Sequence, residues 1–262
     1  MAELNSKVKE LFEKDLIDIF IGYEEGTRNP RPYFAYSAQD ADNLVFNDKC
    51  QGNLAVYLTR KDLVGGKRVG ISASYFALKS ISQLFDENQL KEDLLIVLGM
   101  KEDGSILEFK GLDEIRTYLS EAKAPSKQKD DELLKELSEM SQAERWQFWS
   151  DELSKCFKCY ACRAACPMCY CTKCIIEVNR PQWIQPWIST QGNMEWQINR
   201  VMHMAGRCSD CGSCGAACPI GIPIHLLTHM MTKTVAANFG ESNEQGNVLS
   251  TFKPDDKENF IL

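Results

Sequence analysis

Hydrophobic and polar positions divide this chain into two stretches of different period. The opening MAELNSKVKELFEKDL has the pattern of an amphipathic helix. Short apolar runs follow: Ile17 to Tyr23 predicts a strand, and Pro32 to Tyr36 a second one ahead of Ser37, a suitable N-cap for a helix over Ala38 to Val45. Lys67 to Ala73 predicts a buried strand, Tyr75 to Phe85 carries apolar residues at helical spacing, and Leu94 to Leu98 returns as a strand, which together predict a βαβ unit. Residues 1–120 are therefore expected to form an α/β module. The polar, charged segment 121–131, with one proline and no apolar period, is expected to be a linker.

From Glu132 the period becomes helical. Leu133, Leu134, Leu137, Met140, Trp146, Phe148 and Trp149 supply one apolar face, Glu195 to Ala205 predicts a helix, and Ile220 to Asn238 a further one beginning near Pro223, an allowed first-turn position. The expected class is α+β, with the α/β module followed by a helical domain over 132–239. A polar tail over 240–262 is expected to wrap a surface or a partner.

At 262 residues the chain can hold two modest domains or one large one. Composition is that of an ordinary soluble protein, 44% hydrophobic and 26% charged, with no apolar run of membrane-spanning length, so no membrane insertion is expected. The N-terminus shows neither a signal h-region nor a twin arginine, and the expected location is cytoplasmic. The formal net charge of −7 argues against nucleic acid as a partner; most of it reads as a solubilising surface.

The cysteines change the picture. Eight of the twelve fall into two copies of one spacing, Cys156-x2-Cys159-x2-Cys162-x3-Cys166-Pro167 and Cys208-x2-Cys211-x2-Cys214-x3-Cys218-Pro219. This is the thiolate pattern of cubane iron-sulfur clusters, and the expected cofactors are two 4Fe-4S clusters. Three thiolates at x2 intervals can cap three irons of one cube, while the fourth, displaced by a longer step and a proline, reaches outward and in two-cluster ferredoxins serves the other cube. One cluster is then expected on Cys156, Cys159, Cys162 and Cys218, and the other on Cys208, Cys211, Cys214 and Cys166. Structural zinc sites use pairs separated by longer gaps, and disulfide frameworks belong to short secreted chains; both fit less well. Cysteine loops threaded between helices point to a helical ferredoxin-type domain.

Cys169, Cys171 and Cys174 form a further C-x-C-x2-C. As small buried hydrophobes they would pack beside the clusters; alternatively they hold a third metal centre, whose fourth ligand would have to be Cys50. Arg163, Lys155 and Arg207 lie in or beside the two runs and could raise cluster potentials, or be solvated charges. Trp183, Trp187 and Trp196 could exclude water from the clusters or pack the core. His203, His225 and His229 show no metal-ligand spacing.

The runs CFKCYACRAACPMCYCTKC and RCSDCGSCGAACPIGIP, with NRPQW between them and FKPDD near the end, resemble the dicluster electron-transfer subunits of anaerobes. That family is related to the beta subunits of deazaflavin-coenzyme hydrogenases and formate dehydrogenases and accompanies heterodisulfide-reductase-like complexes; the GIP after the second run is also similar to the small iron-sulfur subunit of heterodisulfide reductase. The resemblance is specific over 145–239 and softer over the module, where IGYEEG and NDKCQGNLAVYL carry it. It implies an electron-transfer subunit of a cytoplasmic multi-subunit oxidoreductase, with other redox subunits as partners and no catalytic residues of its own. Longer relatives add a Gly-Cys-Asp turn and later cysteines that imply another cluster in the module, whereas here the strand runs into Gly70 to Ala77 and Cys50 is alone before Cys156. Gly65-Gly66 precedes a strand and builds neither a P-loop nor a dinucleotide turn. Both features weigh against an N-terminal cluster and a flavin, and suggest a scaffold or docking surface. The alternatives are a flavin-dependent beta subunit that itself reduces a deazaflavin or nicotinamide coenzyme, and a freestanding ferredoxin.

Overall fold

The computed structural model of the protein describes residues 2–101 and 103–240, so the tail expected over 240–262 lies, from 241 on, outside the described residues. The first part holds α1 (Ala2–Glu13), β1 (Ile19–Glu24), β2 (Arg31–Ala35), α2 (Lys61–Val64), β3 (Val69–Ala73), α3 (Tyr75–Asp86), β4 (Leu95–Met100), β5 (Ile106–Phe109) and α4 (Leu112–Glu121). The strands form one five-stranded sheet in the order β2-β1-β3-β4-β5. β1, β3 and β4 run parallel, with Ile21 opposite Ile71 and Ile71 opposite Val97, and the two edge strands are antiparallel to their neighbours. The parallel centre is covered on both faces, which is why its strands read as unbroken apolar runs.

Strand alternation sends the side chains of β1 to two cores. Ile19, Ile21 and Tyr23 join Ile71, Val97, Leu78, Ile81 and Leu84 beneath α3, while Phe20 meets Leu4, Val8 and Leu11 of α1 on the opposite face. A Cβ at Gly70 would lie 2.5 Å from the Phe20 ring, so β3 needs glycine where it passes that side chain.

The helix expected over 38–45 is a single 3-10 turn, Gln39–Asn43. Asp40 accepts hydrogen bonds from the backbone N–H of Tyr36 and the hydroxyl of Ser37, both at 2.9 Å, and such local side-chain bonds compete with helix propagation. Val45 then donates its N–H to the Tyr23 carbonyl at 2.8 Å, which holds the segment against β1. β5 and α4 were not anticipated from the apolar pattern; β5 is short and is placed by pairing with β4.

The second part comprises α5 (Gln128–Glu139), α6 (Gln142–Ser154), α7 (Ala161–Ala164), α8 (Ile175–Val178), α9 (Thr190–His203), α10 (Ser213–Ala216) and α11 (Ile224–Phe239). α6 begins with a capping box in which Ser141 and Glu144 satisfy each other's backbone N–H. The Ser189 hydroxyl accepts from the Gly192 N–H at 3.0 Å and starts α9 before the predicted Glu195. Leu153, Ile176, Ile184, Trp196, Ile222 and Ile224 form the core of this part, with Cys156, Cys162 and Cys214 among them.

The module is seated on the second cysteine run. Met168 and Met204 enter the core beneath α3, the hydroxyls of Ser80 and Ser209 lie 2.6 Å apart, and Lys127 pairs with Asp210 at 3.3 Å while its ammonium lies 4.2 Å from the centre of the Phe76 ring. The protein is thus a mixed sheet with helices followed by a helical, cysteine-rich domain.

Candidate iron-sulfur site

The two cysteine runs fold alike. Each leaves a helix, turns through left-handed backbone at the second and fourth positions after its first cysteine, and enters a one-turn helix that carries the third. In the first run the left-handed residues are Lys158 (φ 53°) and Tyr160 (φ 61°), in the second Asp210 (φ 59°) and Gly212 (φ 75°). This alternation aims successive backbone N–H groups inward, the geometry that receives anionic sulfur. The Lys158 N–H donates to Cys156 Sγ at 3.4 Å, and the equivalent Asp210 N–H to Cys208 Sγ at 3.3 Å. After the second Cys-Pro, Ile222 N–H donates to Cys218 Sγ at 3.3 Å.

Two hollows result. The first is lined by Cys156, Cys159 and Cys162 of the first run and Cys218 of the second, walled by Phe157, Tyr160, Trp196, Ile222 and Ile224. The second is lined by Cys208, Cys211 and Cys214 of the second run and Cys166 of the first, together with Met168, Met204 and Arg200. Among the described residues no three Cys, His, Asp or Glu side chains converge closely enough to grip a single metal ion. Four thiols set apart around a hollow suit a cube, whose four irons each take one thiolate at a separate corner.

Burial pushes the thiols of Cys162, Cys208 and Cys214 up to about 11. On binding, iron would take the place of the thiol protons. The donor set, its inward N–H groups and its apolar walls fit the iron-sulfur cofactor.

α9 supports both hollows with a polar stripe that sequence reasoning did not single out. Asn193 Nδ2 donates to the Cys156 carbonyl at 2.6 Å, Gln197 Nε2 lies 3.9 Å from Cys156 Sγ, and Arg200 Nη2 donates to the Cys162 carbonyl at 3.0 Å. All three are buried. Their spacing along one face of a helix otherwise inviting apolar residues was the available signal. The cations named from sequence are placed otherwise: Lys155 pairs with Glu152 at 2.6 Å, Arg163 with Glu177 at 3.0 Å and Arg207 with Glu87 at 2.6 Å. Trp196 lines the first hollow, whereas Trp183 and Trp187 are exposed. His225 and His229 pair with Asp130 and Asp210.

Cys169, Cys171 and Cys174 line a third hollow with Arg163, Lys173 and His203. Cys50 is not among its walls; it sits in a loop of the module, accepting the Asn47 N–H at 3.3 Å. The Cys169 N–H donates to the Cys166 carbonyl at 3.0 Å, and beside Cys166 the Cys169 thiol is held down to about 7 while that of Cys166 is raised. The Cys174 side chain accepts at the start of α8.

Comparison with known proteins agrees with this chemistry. Over 80 residues, 29% of the chain, it is 31% identical to the F420-dependent formate dehydrogenase subunit beta of Methanocaldococcus jannaschii, and the match covers 19% of that relative's length. Residues 148–229, which contain all eight motif cysteines, match the 4Fe-4S dicluster domain family, and this part of the chain is therefore an iron-sulfur electron-transfer domain for two 4Fe-4S clusters.

Proposed function

We propose that the protein is an electron-transfer subunit of a cytoplasmic, multi-subunit oxidoreductase of anaerobic metabolism, of the hydrogenase, formate dehydrogenase or heterodisulfide-reductase-like kind. The observation that carries the reading is the sharing of each hollow between the two runs. On this reading Cys156, Cys159, Cys162 and Cys218 hold one cluster, and Cys208, Cys211, Cys214 and Cys166 the other. A 4Fe-4S cluster supplies one-electron storage. The chain binds the clusters, keeps water from them with Trp196, Ile222, Met168 and Met204, and brings them side by side through the exchanged cysteines.

The two hollows meet their surroundings differently. Cys159 is exposed, flanked by the exposed side chains of Phe157 and Ile220, while the second hollow lies beneath the module. Electrons would pass to or from a partner subunit at the first cluster, and the module acts as a scaffold for the second. No helix among the described residues is long and apolar enough to cross a membrane.

One observation favours a second reading, a beta subunit that itself binds flavin and reduces a deazaflavin or nicotinamide coenzyme. A cleft near the carboxyl end of β1 is lined by Tyr23, Asn29, Gln51 and Tyr57 and faces Ala164, Ala165, Ala216 and Ala217 beside the cysteine loops. Ligands of open α/β sheets bind at such strand ends. Its lining holds no cation to meet a phosphate, which favours the electron-transfer reading.

The test is anaerobic purification of the tagged chain from its native cells. Co-purifying redox subunits, about eight irons per chain and no flavin support the proposal; a stoichiometric flavin selects the second reading, and a chain recovered alone selects a freestanding ferredoxin.

A further inference from the structure

Arg200 is 5% exposed and lines both the second hollow and the third, beside Cys169. Its Nη2 donates to the Cys162 carbonyl, on the side of the first hollow, while Nε and Nη1 have no hydrogen-bond partner. No carboxylate forms an ion pair with it among the described residues, in contrast to Lys155, Arg163 and Arg207. Around it in the second hollow stand Cys166, Cys208, Cys211 and Cys214. Leaving a guanidinium buried with two unpaired nitrogens is heavily penalised unless an anion sits beside it.

We infer that Arg200 is the counter-cation shared by the two clusters, setting the potential of both. The inference rests on the reading that the eight motif cysteines hold two cubes. When an electron enters either site its negative charge rises by one, and a fixed cation in a dry wall stabilises that reduced form. Because Arg200 reaches the Cys162 side with Nη2 and lines the hollow of Cys166 and Cys214, its charge acts on both. A guanidinium suits the place: it stays protonated and presents donors in several directions from one plane.

The experiment compares the full-length wild type with Arg200→Met, Arg200→Gln and Arg200→Lys, reconstituted anaerobically, together with Arg163→Gln, which removes a cation already paired with Glu177. Iron and acid-labile sulfide are counted first, and potentials follow from EPR-monitored redox titration. Wild type with fewer than about eight irons sinks the cluster reading itself, before any variant is compared. Given a complete wild type, the expected result is a lower potential for both clusters in R200M and R200Q, a smaller displacement in R200K, and none in R163Q. Unchanged potentials in R200M and R200Q, or a shift confined to one cluster, would overturn the shared role. If R200M and R200Q lose their clusters, retention in R200K with native far-UV circular dichroism in all three supports a requirement for the charge. Loss in R200K as well would mean that shape and not charge is needed, and overturns the inference.

Discussion

Glu87, at the end of α3, and Arg207, the residue before Cys208, form a two-pronged ion pair: Nε donates to Oε1 at 2.7 Å and Nη2 to Oε2 at 2.6 Å. Tyr170 adds a hydroxyl donor to Oε2 at 2.7 Å, so one carboxylate of the module ties together both cysteine regions of the helical domain. Burial alone would raise the pKa of Glu87, but the hydrogen bonds from Arg207, Tyr170 and Gln83 outweigh it and hold it below the ordinary value.

Replacing Glu87 by Gln is expected to destabilise the protein by about 2–3 kcal/mol, because it strips the charge from a largely buried, bidentate pair. A carboxyl with a lowered folded pKa contributes fully above its unfolded pKa and loses that contribution as pH falls through the folded value. The cost of E87Q, read by chemical denaturation, should therefore be complete at neutral pH and shrink below about pH 4. An equal cost at every pH would show that the charge is not what matters.

The crossed arrangement makes a sharper prediction about ligation. Cys166→Ser should alter the EPR signal of the cluster on Cys208, Cys211 and Cys214 and leave the other intact, and Cys218→Ser should do the reverse. Each substitution disturbing the cluster of its own run would instead establish local ligation, and the two halves would no longer have to fold as one unit.

In the C-x-C-x2-C segment the Cys174 side chain accepts at the start of α8 and Cys171 is exposed, and the three cysteines are expected to hold no metal. The triple replacement of Cys169, Cys171 and Cys174 by Ser should keep about eight irons per chain. Loss of about four irons would assign a third cluster to this hollow.

The unequal cover of the two hollows predicts an order of damage. Under limiting oxygen or ferricyanide, the cluster beside exposed Cys159 should be lost first, and the one beneath the module later. EPR of partly oxidised samples after re-reduction checks this; equal rates would mean that the module does not shield the second site.

Gly70 offers a test of the sheet. Gly70→Ala should cost about 1–3 kcal/mol in chemical denaturation, since its new Cβ would overlap the Phe20 ring inside a packed core. Iron content should be unaffected, because the contact lies on the sheet face away from the cysteines.

The chemistry of this protein is written locally, which is why it could be read from the sequence. Cubane ligation needs thiolates a few residues apart on one loop, so Cys156 to Cys166 and Cys208 to Cys218 announce it without reference to any other segment. The same holds for the parallel strands β1, β3 and β4, whose burial on both faces leaves unbroken apolar runs, and for α3, whose period is its own. Where local rules compete the reading failed: Asp40 and Ser37 turned the expected helix over 38–45 into a single turn, and β5 exists because β4 offers it an edge. Tertiary structure alone decided which neighbours the chemistry has. It set Cys50 in the module, away from Cys169, Cys171 and Cys174, seated α3 against the second run through Glu87 and Ser80, and gave Arg163 and Arg207 their carboxylates. It also buried Arg200 without one. The physical reason is that partners far apart in sequence are chosen by packing, and nothing in the spacing of Arg200 along α9 says that both cysteine runs will close around it.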